Sequence, residues 1–566
     1  MSPFRARRGT RSLDRKAGLT ASLIGILVVV AALAAFSRFL PAQIALPHGA
    51  IKAPHFRALG GLAVLGGDLG HTTLRMALAT GTGSAMGGVL ALLAGRVSAL
   101  EGPIRVCLGG LHMMPLLCLL PFLHLLGTEV ALIGVAALCF AAPVASAALD
   151  SWSRIPRAFD DATRALGLTS WQRLWRLEAP FAIPYCVTAL ARAMPLAWCV
   201  LIGAEMLPVD GVLPTRPGLG THAMQAAALG SVKQSFLSAG LLALLVAAYD
   251  LCLVFPSQIW ADRYRISPVF DDNTDPLPLR LWRRTRFLKR GAERFRQGLG
   301  WVGTLRLGGT GARATRAETR ASPLIGLSSL LFLLLIALGF FYRHHALDLR
   351  DLERVTLASL LSALRVTLAL CVALLVWVPV GVWLSLPPSR SGSIRSVARF
   401  CVLYPKNVLF PLLVLLAIAI GLGNTVWPLL LVLFHVQFVF LAQVLRGMRS
   451  FPPDLLRAAQ NLQLRGWLWW RRVLLPGLAP ALLEGVSAAS FAGWSILILA
   501  ERNAWRLQSH DGGGIGAFVA RAIATGDLPR VVLGAAVLTL CIALGEILVW
   551  HPVRLQIRRR MSASSS

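Results

Sequence analysis

Runs of about twenty apolar residues, recurring along the whole chain, constrain this sequence more than any other feature. A helix rising about 1.5 Å per residue needs about 20 such residues to cross a hydrocarbon layer roughly 30 Å thick. Runs of this kind lie at 19–36, 73–94, 104–126, 130–150, 184–206 and 236–256. A second set lies at 324–342, 357–386, 398–420, 425–445, 480–500 and 531–550. Inside lipid the backbone has no water to bond, so spanning segments close their hydrogen bonds internally, as helices. The expectation is an all-α membrane protein with about twelve transmembrane helices. With 56% hydrophobic and only 14% charged residues, the chain is neither disordered nor a soluble multidomain enzyme.

The formal net charge is nevertheless +30, from 56 Lys and Arg against 26 Asp and Glu. Such an excess invites a nucleic-acid reading, and its location argues against one. Arg5, Arg7, Arg8, Arg11, Arg15 and Lys16 precede the first run, and Arg554, Arg558, Arg559 and Arg560 follow the last. Loops 151–183, 261–322 and 446–479 are rich in Arg, whereas 37–70 and 207–232 carry little. This alternation is the positive-inside pattern. It predicts a multi-pass membrane protein with both termini cytoplasmic, and no nucleic-acid motif accompanies it. The run from Leu19 to Phe36 is long for a cleaved signal and reads as an uncleaved anchor. Most of the nine cysteines fall inside the runs without a CxxC pair, so they read as small apolar side chains rather than metal or disulfide sites.

The chain also repeats itself. An offset of 296 pairs Pro115 with Pro411, Pro156 with Pro452, Trp171 with Trp467, Pro180 with Pro476 and Pro184 with Pro480. It also pairs Trp198 with Trp494, Glu205 with Glu501, Gly218 and Gly220 with Gly514 and Gly516, and Pro256 with Pro552. Matched Trp, Pro, Gly and Glu in constant register mark a duplication. Each half holds an even number of runs, so the copies are parallel and related by an axis along the membrane normal. Arg75 and Arg365 follow similar residues at an offset of 290, which places a short gap before residue 110. The predicted organisation is a first repeat over 1–256, a cytoplasmic linker over 257–322 with a basic amphipathic stretch at 279–296, and a second repeat over 323–566.

One cytoplasmic loop in each half differs from the rest. In the first, Arg157 to Ala165 reads as a short helix stopped by Gly167 in a left-handed C-cap. Thr169 or Ser170 then caps a second short helix, which Pro180 ends. The two would form a compact knob outside the membrane.

These residues resemble the EAA-x3-G-x9-I-x-LP signature of ABC-importer permeases. In the first half it stands as Asp161-Ala162-Thr163, Gly167, Leu177 and Ala179-Pro180; in the second, as Arg457-Ala458-Ala459, Gln463, Val473 and Leu475-Pro476. Both copies keep the spacing, each after four runs and before two. The resemblance implies a type I-like importer permease with both halves fused. It implies two cytoplasmic ABC ATPase subunits docked on the knobs and a periplasmic substrate-binding protein on the other side. ATP is then used by the partners, and this chain binds no cofactor. The departures at Arg457 and Gln463 predict a different corner and an altered dock in the second knob, and a Pro substitution more damaging at Gly167 than at Gln463.

Beyond each knob, Trp198 and Glu205, and their copies Trp494 and Glu501, are spaced seven residues apart on nearly one helix face. An acid at a span end is costly and implies a role. They read either as lining a path or outer gate, or as a Trp packed between helices and a solvated Glu. The arrangement, with Gly-x-Gly after each Glu starting a short outer helix, is similar to permeases of the nitrate/sulfonate/taurine group. A carboxylate facing an anion would repel it, which favours salt bridges or receptor docking for Glu205 and Glu501. His112, His435, Gln437 and Gln443 are polar positions at or inside runs, read first as helix–helix hydrogen bonding. The Gly308–Arg313 stretch lacks the Gly-Lys-Ser/Thr ending of a phosphate loop, so the chain reads as a transport subunit without its own ATPase site. Other solutes, such as thiamine-related compounds or ferric iron, and an ion-gradient-driven transporter are the alternatives.

Overall fold

Proline and glycine set the course of this helical chain. The structure, a computed structural model, describes residues 62–209, 216–229, 231–265, 339, 347–385, 398–419, 426–502 and 513–563. The expected spans at 19–36 and 324–342 (residue 339 apart) and the amphipathic stretch at 279–296 lie outside these residues.

The first half runs through α1 (Leu62–Arg96), α2 (Ser98–Met113), α3 (Leu120–His124), α4 (Thr128–Ser153) and α5 (Arg157–Ala165). It continues with α6 (Ser170–Arg173), α7 (Ala179–Met206), α8 (Leu219–Ala228), α9 (Val232–Tyr249) and α10 (Phe255–Asp262). The second half has α11 (Leu349–Ser385), helical residues 398–403, α12 (Phe410–Ala419), α13 (Trp427–Arg449) and α14 (Pro453–Asn461). It ends with α15 (Gly466–Trp469), α16 (Leu475–Ala500), α17 (Ile515–Thr525), α18 (Leu528–Leu544) and α19 (His551–Ala563). Among the described residues, eight of the helical stretches are long and apolar enough to cross a membrane, or nine if the bent pair around Pro115 counts as one span. The element order of the first half recurs in the second.

The run at 104–126 is not one straight span. It breaks at Met114–Pro115 with a bend of 109° between its two helical parts. Pro115 has no N–H and disfavours helical geometry in the residue before it, and Met114 is extended at φ −85° and ψ 134°. A turn of 3₁₀ helix, Leu116–Leu119, follows Pro115, and an equivalent turn, Lys406–Leu409, follows Pro405. These turns correct the register. Pro115 matches Pro405 and Pro121 matches Pro411, both at an offset of 290. The gap therefore lies beyond residue 124 rather than before 110, and the second half has used it to lengthen α12 to ten residues against five in α3.

Pro180 does not end a helix either. The chain is helical from Ser170 to Met206, and Pro180 follows a wide turn in which the Ala179 N–H reaches the Leu174 carbonyl. The same i→i+5 turn precedes Pro256, Pro476 and Pro552. A proline ring collides with the carbonyl four residues back. Widening the helix one turn earlier is a way to keep both the proline and the span.

Within the first half, α1 packs on α4 through Gly83 and Gly87. A Cβ there would sit 2.3 Å from the Ala137 carbonyl oxygen and 2.6 Å from that of Ala141. Small residues four apart let two spans approach this closely, and dispersion then holds them. The halves meet along α7 and α16. Gly203 faces Leu499, and the Arg502 guanidinium donates to the Met206 carbonyl at 2.6 Å. Both are repeat-equivalent pairs, 296 residues apart, so the pseudo-two-fold axis passes between the C-terminal ends of α7 and α16. Arg399 bridges to Asp250 at 2.8 Å across the same seam.

Candidate functional site

The first knob is α5 and α6, joined by a corner at Gly167. Gly167 has φ +60°; its N–H bonds to the Arg164 carbonyl, and the Leu168 N–H bonds to that of Thr163. This pair of bonds is a Schellman motif, which requires a left-handed residue at its turn. Thr169 then caps α6 reciprocally with Gln172. Asp161, Ala162 and Gly167 are exposed, while Leu177 and Pro180 are half-buried where the knob joins its span.

The second knob, α14 and α15, turns the same corner. Gln463 has φ +51°, with Gln463 N–H to the Gln460 carbonyl and Leu464 N–H to that of Ala459. A changed corner was expected from the lost glycine, and the structure corrects this. The Schellman hydrogen bonds hold Gln463 left-handed despite a cost of roughly 1–2 kcal/mol for a residue with a Cβ. Ala458 is exposed, Ala459 is buried, Val473 is half-buried and Pro476 is exposed.

The anchoring of the two knobs differs. In the first, buried Glu178 receives Arg96 Nη2 at 2.7 Å and Arg173 Nε at 3.1 Å. Arg173 also donates to Asp160 at 2.7 Å, and the Trp152 indole donates to the Glu178 carbonyl at 3.0 Å. These contacts tie α5, α6, α1 and α4 together. The repeat-equivalent positions of Trp152, Asp160, Arg173 and Glu178 are Met448, Leu456, Trp469 and Leu474, all packed in the hydrophobic core. A charge network thus secures one knob and apolar packing the other.

Both knobs leave apolar tips in the open. Phe159 and Leu166 are 46% and 73% exposed, and their equivalents Leu455 and Leu462 are 48% and 71% exposed. Sequence reasoning followed the signature and passed over these four. Their signal was an apolar residue kept at the same offset on an otherwise polar short helix.

At the ends of α7 and α16 far from the knobs, Glu205 and Glu501 are enclosed by similar clasps. Glu205 accepts from Arg75 at 2.8 Å, Thr72 at 3.0 Å and the Gly220 N–H at 2.9 Å. Arg75 also grips Glu129 through two bonds, at 2.7 and 2.8 Å, and donates to the Pro217 carbonyl. Glu501 accepts from Arg365 at 2.7 Å, Ser362 at 2.8 Å and the Gly516 N–H at 2.9 Å. Thr72 and Ser362 each also accept a backbone N–H, from Leu219 and Ile515, so the clasp pins the start of α8 or α17 to the first long helix of its half. Trp198 is buried edge-on against Tyr249 at 5.7 Å, and Trp494 is buried as well. The four residues are thus packed and paired inside the bundle, and the two arginines, given no role beyond a helix start, are the counter-ions.

Beside this geometry stand the relatives. Residues 83–262 match the family described as binding-protein-dependent transport system inner membrane component. The taurine transport system permease protein TauC of Escherichia coli (strain K12) is 33% identical over 141 residues, 25% of this chain and 50% of that protein. The chain therefore spans half the length of that relative. The osmoprotectant import permease protein OsmY of Salmonella typhimurium (strain LT2) is 29% identical over 187 residues, 32% of this chain and 74% of that protein. Its counterpart OsmW is 26% identical over 199 residues, 34% of this chain and 85% of that protein. No solved structure matches the chain significantly. The matched segment holds the first knob and the Glu205 end of its clasp, and over it the chain is similar to the inner-membrane components of binding-protein-dependent transport.

Proposed function

We propose that this chain carries two permease halves in one polypeptide, forming the path by which an ABC importer moves a small solute. The solute is a small anion of the nitrate, sulfonate or taurine type, handed over by a periplasmic binding protein. Two cytoplasmic ATPase subunits dock on the two knobs and burn the ATP; the chain has no catalytic role. Both termini and both knobs then lie on the cytoplasmic face of the inner membrane.

The observation that carries this reading is the pair of Schellman-cornered knobs, 296 residues apart, each presenting two equivalent apolar side chains to the aqueous side. Apolar tips on short polar helices gain by burial in a groove, at about 25 cal/mol per Å² removed from water. A rigid helical knob then transmits the movement of its partner as a rigid body.

The test is co-purification of the full chain with an ABC ATPase expressed from the same source, followed by ATP-driven uptake into proteoliposomes. Leu166→Asp and Leu462→Asp together should release the ATPase and stop uptake. Uptake driven by an ion gradient in the absence of any ATPase would reject the proposal in favour of a secondary transporter.

A further inference from the structure

Lys406, Asn407 and His435 form a buried polar cluster inside the apolar seam between the halves. Their exposures are 2%, 0% and 7%. Pro405 introduces the 3₁₀ turn that turns Lys406 and Asn407 inward from what reads in sequence as a continuous apolar run. The Lys406 ammonium lies over the Phe438 ring, 5.6 Å from its centre. Among the described residues no carboxylate pairs with it. Asn407 Nδ2 donates to the Cys199 carbonyl of the other half at 2.9 Å, while Asn407 Oδ1 and His435 Nδ1 are buried without a hydrogen-bond partner.

The cluster is central. The place a Gly203 Cβ would occupy is contacted by Leu499, its own repeat equivalent, and by both Leu117 and Asn407, which are equivalent to each other at the 290 offset. Those contacts put it beside the pseudo-two-fold axis. Cys199 lies seven residues before the end of α7, so the cluster is about 10 Å below the outer end of that helix. In repeat-built transporters this interface is where a solute binds on its way across.

The cluster is also asymmetric. The equivalents of Lys406, Asn407 and His435 in the first half are Leu116, Leu117 and Cys139. An unpaired ammonium inside a membrane is costly and marks function by default. Two further unpartnered polar atoms, Asn407 Oδ1 on the same turn and His435 Nδ1 on α13, add to that cost. One side of a duplicated seam has taken on this cost and the other has not.

We propose that Lys406, flanked by Asn407 and His435, is a transit site for one small monovalent anion, a carboxylate or sulfonate, on the translocation path. The ammonium supplies the countercharge, and the Phe438 face and Cys199 helix wall off water. A single site at the axis suits one solute per cycle. This inference rests on the permease reading and refines the class of solute.

Two measurements separate it from that reading. In the first, thermal unfolding of the purified full chain is followed with sodium methanesulfonate, and with uncharged dimethyl sulfone in sodium chloride of matched ionic strength. Methanesulfonate alone should raise the midpoint of the wild type, Lys406→Met should abolish the rise, and Lys406→Arg should retain part of it. An equal rise in Lys406→Met, or none in the wild type, overturns the site. In the second, ATP-driven methanesulfonate uptake by the reconstituted complex should fall about tenfold or more in Lys406→Met, the loss expected for a charge-assisted contact. ATPase binding and ATP hydrolysis should persist, showing that the variant folds. Wild-type uptake by Lys406→Met also overturns the site while leaving the permease reading intact. A wild-type complex that shows the anion-dependent rise but no ATP-driven uptake rejects the permease reading and leaves the site standing.

Discussion

Replacing Glu178 by Leu should loosen the first knob without unfolding the rest of the bundle. The carboxylate is 1% exposed and holds two guanidiniums, Arg96 at 2.7 Å and Arg173 at 3.1 Å. Hydrogen bonds to charged groups contribute about 1.5–3 kcal/mol each. The Arg96 side chain is 34% exposed and its share is discounted for solvent, whereas Arg173 at 12% loses nearly its full share. The sum is about 3 kcal/mol, in line with breaking a buried ion pair from one side. At about 1.4 kcal/mol per decade, local opening becomes roughly a hundredfold more frequent. Hydrogen exchange of peptides covering 157–173 in the purified full chain reads this directly. The protein also supplies its own control. The quadruple change Trp152→Met, Asp160→Leu, Arg173→Trp and Glu178→Leu copies the apolar anchor of the second knob and keeps one indole in the cluster. Apolar replacement of a whole buried ionic network is often neutral or stabilising, so protection should return close to wild type. Unchanged exchange in Glu178→Leu, or a quadruple variant as labile as the single one, would refute the reasoning.

Gly167→Pro and Gln463→Pro should impair ATP-driven uptake to a similar extent. Both corners are left-handed, at φ +60° and +51°, and proline is fixed near −65°; normal uptake by either variant would show its corner to be dispensable. Gln463→Gly should raise the stability of the second knob by about 1 kcal/mol, seen as slower exchange over 453–465. At the Glu205 clasp, Arg75→Ala should cost about 3–5 kcal/mol because it leaves the buried Glu205 without its countercharge, and Glu205→Ala less, because Arg75 keeps its two bonds to Glu129. The double variant should cost much less than the sum in thermal unfolding, and strict additivity would show that the pair does not act as a unit.

Local chemistry was legible in the sequence, and long-range pairing was not. The Gly167 corner and the Thr169 cap could be read because each is decided by residues within one helical turn. The left-handed Gln463 could not, since its intrinsic preference says otherwise and only the Schellman bonds to Gln460 and Ala459 impose it. The break at Pro115 was written in the proline, but hydropathy averages over it. The same averaging hid Lys406 inside the run at 398–420. Glu178 and Arg96 are 82 residues apart, and Arg75 and Glu205 are 130 apart, so no periodicity joins them. The repeat could have exposed the clasp, because Thr72-x-x-Arg75 and Ser362-x-x-Arg365 recur with their glutamates. The change of offset from 290 to 296 concealed that both belong to one device.

The two halves have diverged unevenly, and the unevenness sorts their parts by task. The centre of the clasp is preserved, from the Arg and the hydroxyl on Glu205 or Glu501 down to the backbone N–H of Gly220 and Gly516, because each half must hold its own short helix against its own first long span; the Arg75–Glu129 pair belongs to the first half. Nothing outside that half needs to distinguish one copy from the other. The knob tips keep their apolar residues as well, Phe159 and Leu166 in one and Leu455 and Leu462 in the other, as the proposed docking of one ATPase on each requires. The knob anchors changed chemistry while keeping the corner, which is possible because a charge network and an apolar cluster can fix the same helix pair at similar net stability. The seam is different. Two identical halves around an axis would present either two cations or none to a solute on that axis, and two buried ammoniums so close would repel each other. Fusing the halves into one chain removes the constraint of identity, allowing one half to carry Lys406 and the other Leu116. The fused architecture is therefore one route by which a single central charge becomes structurally attainable.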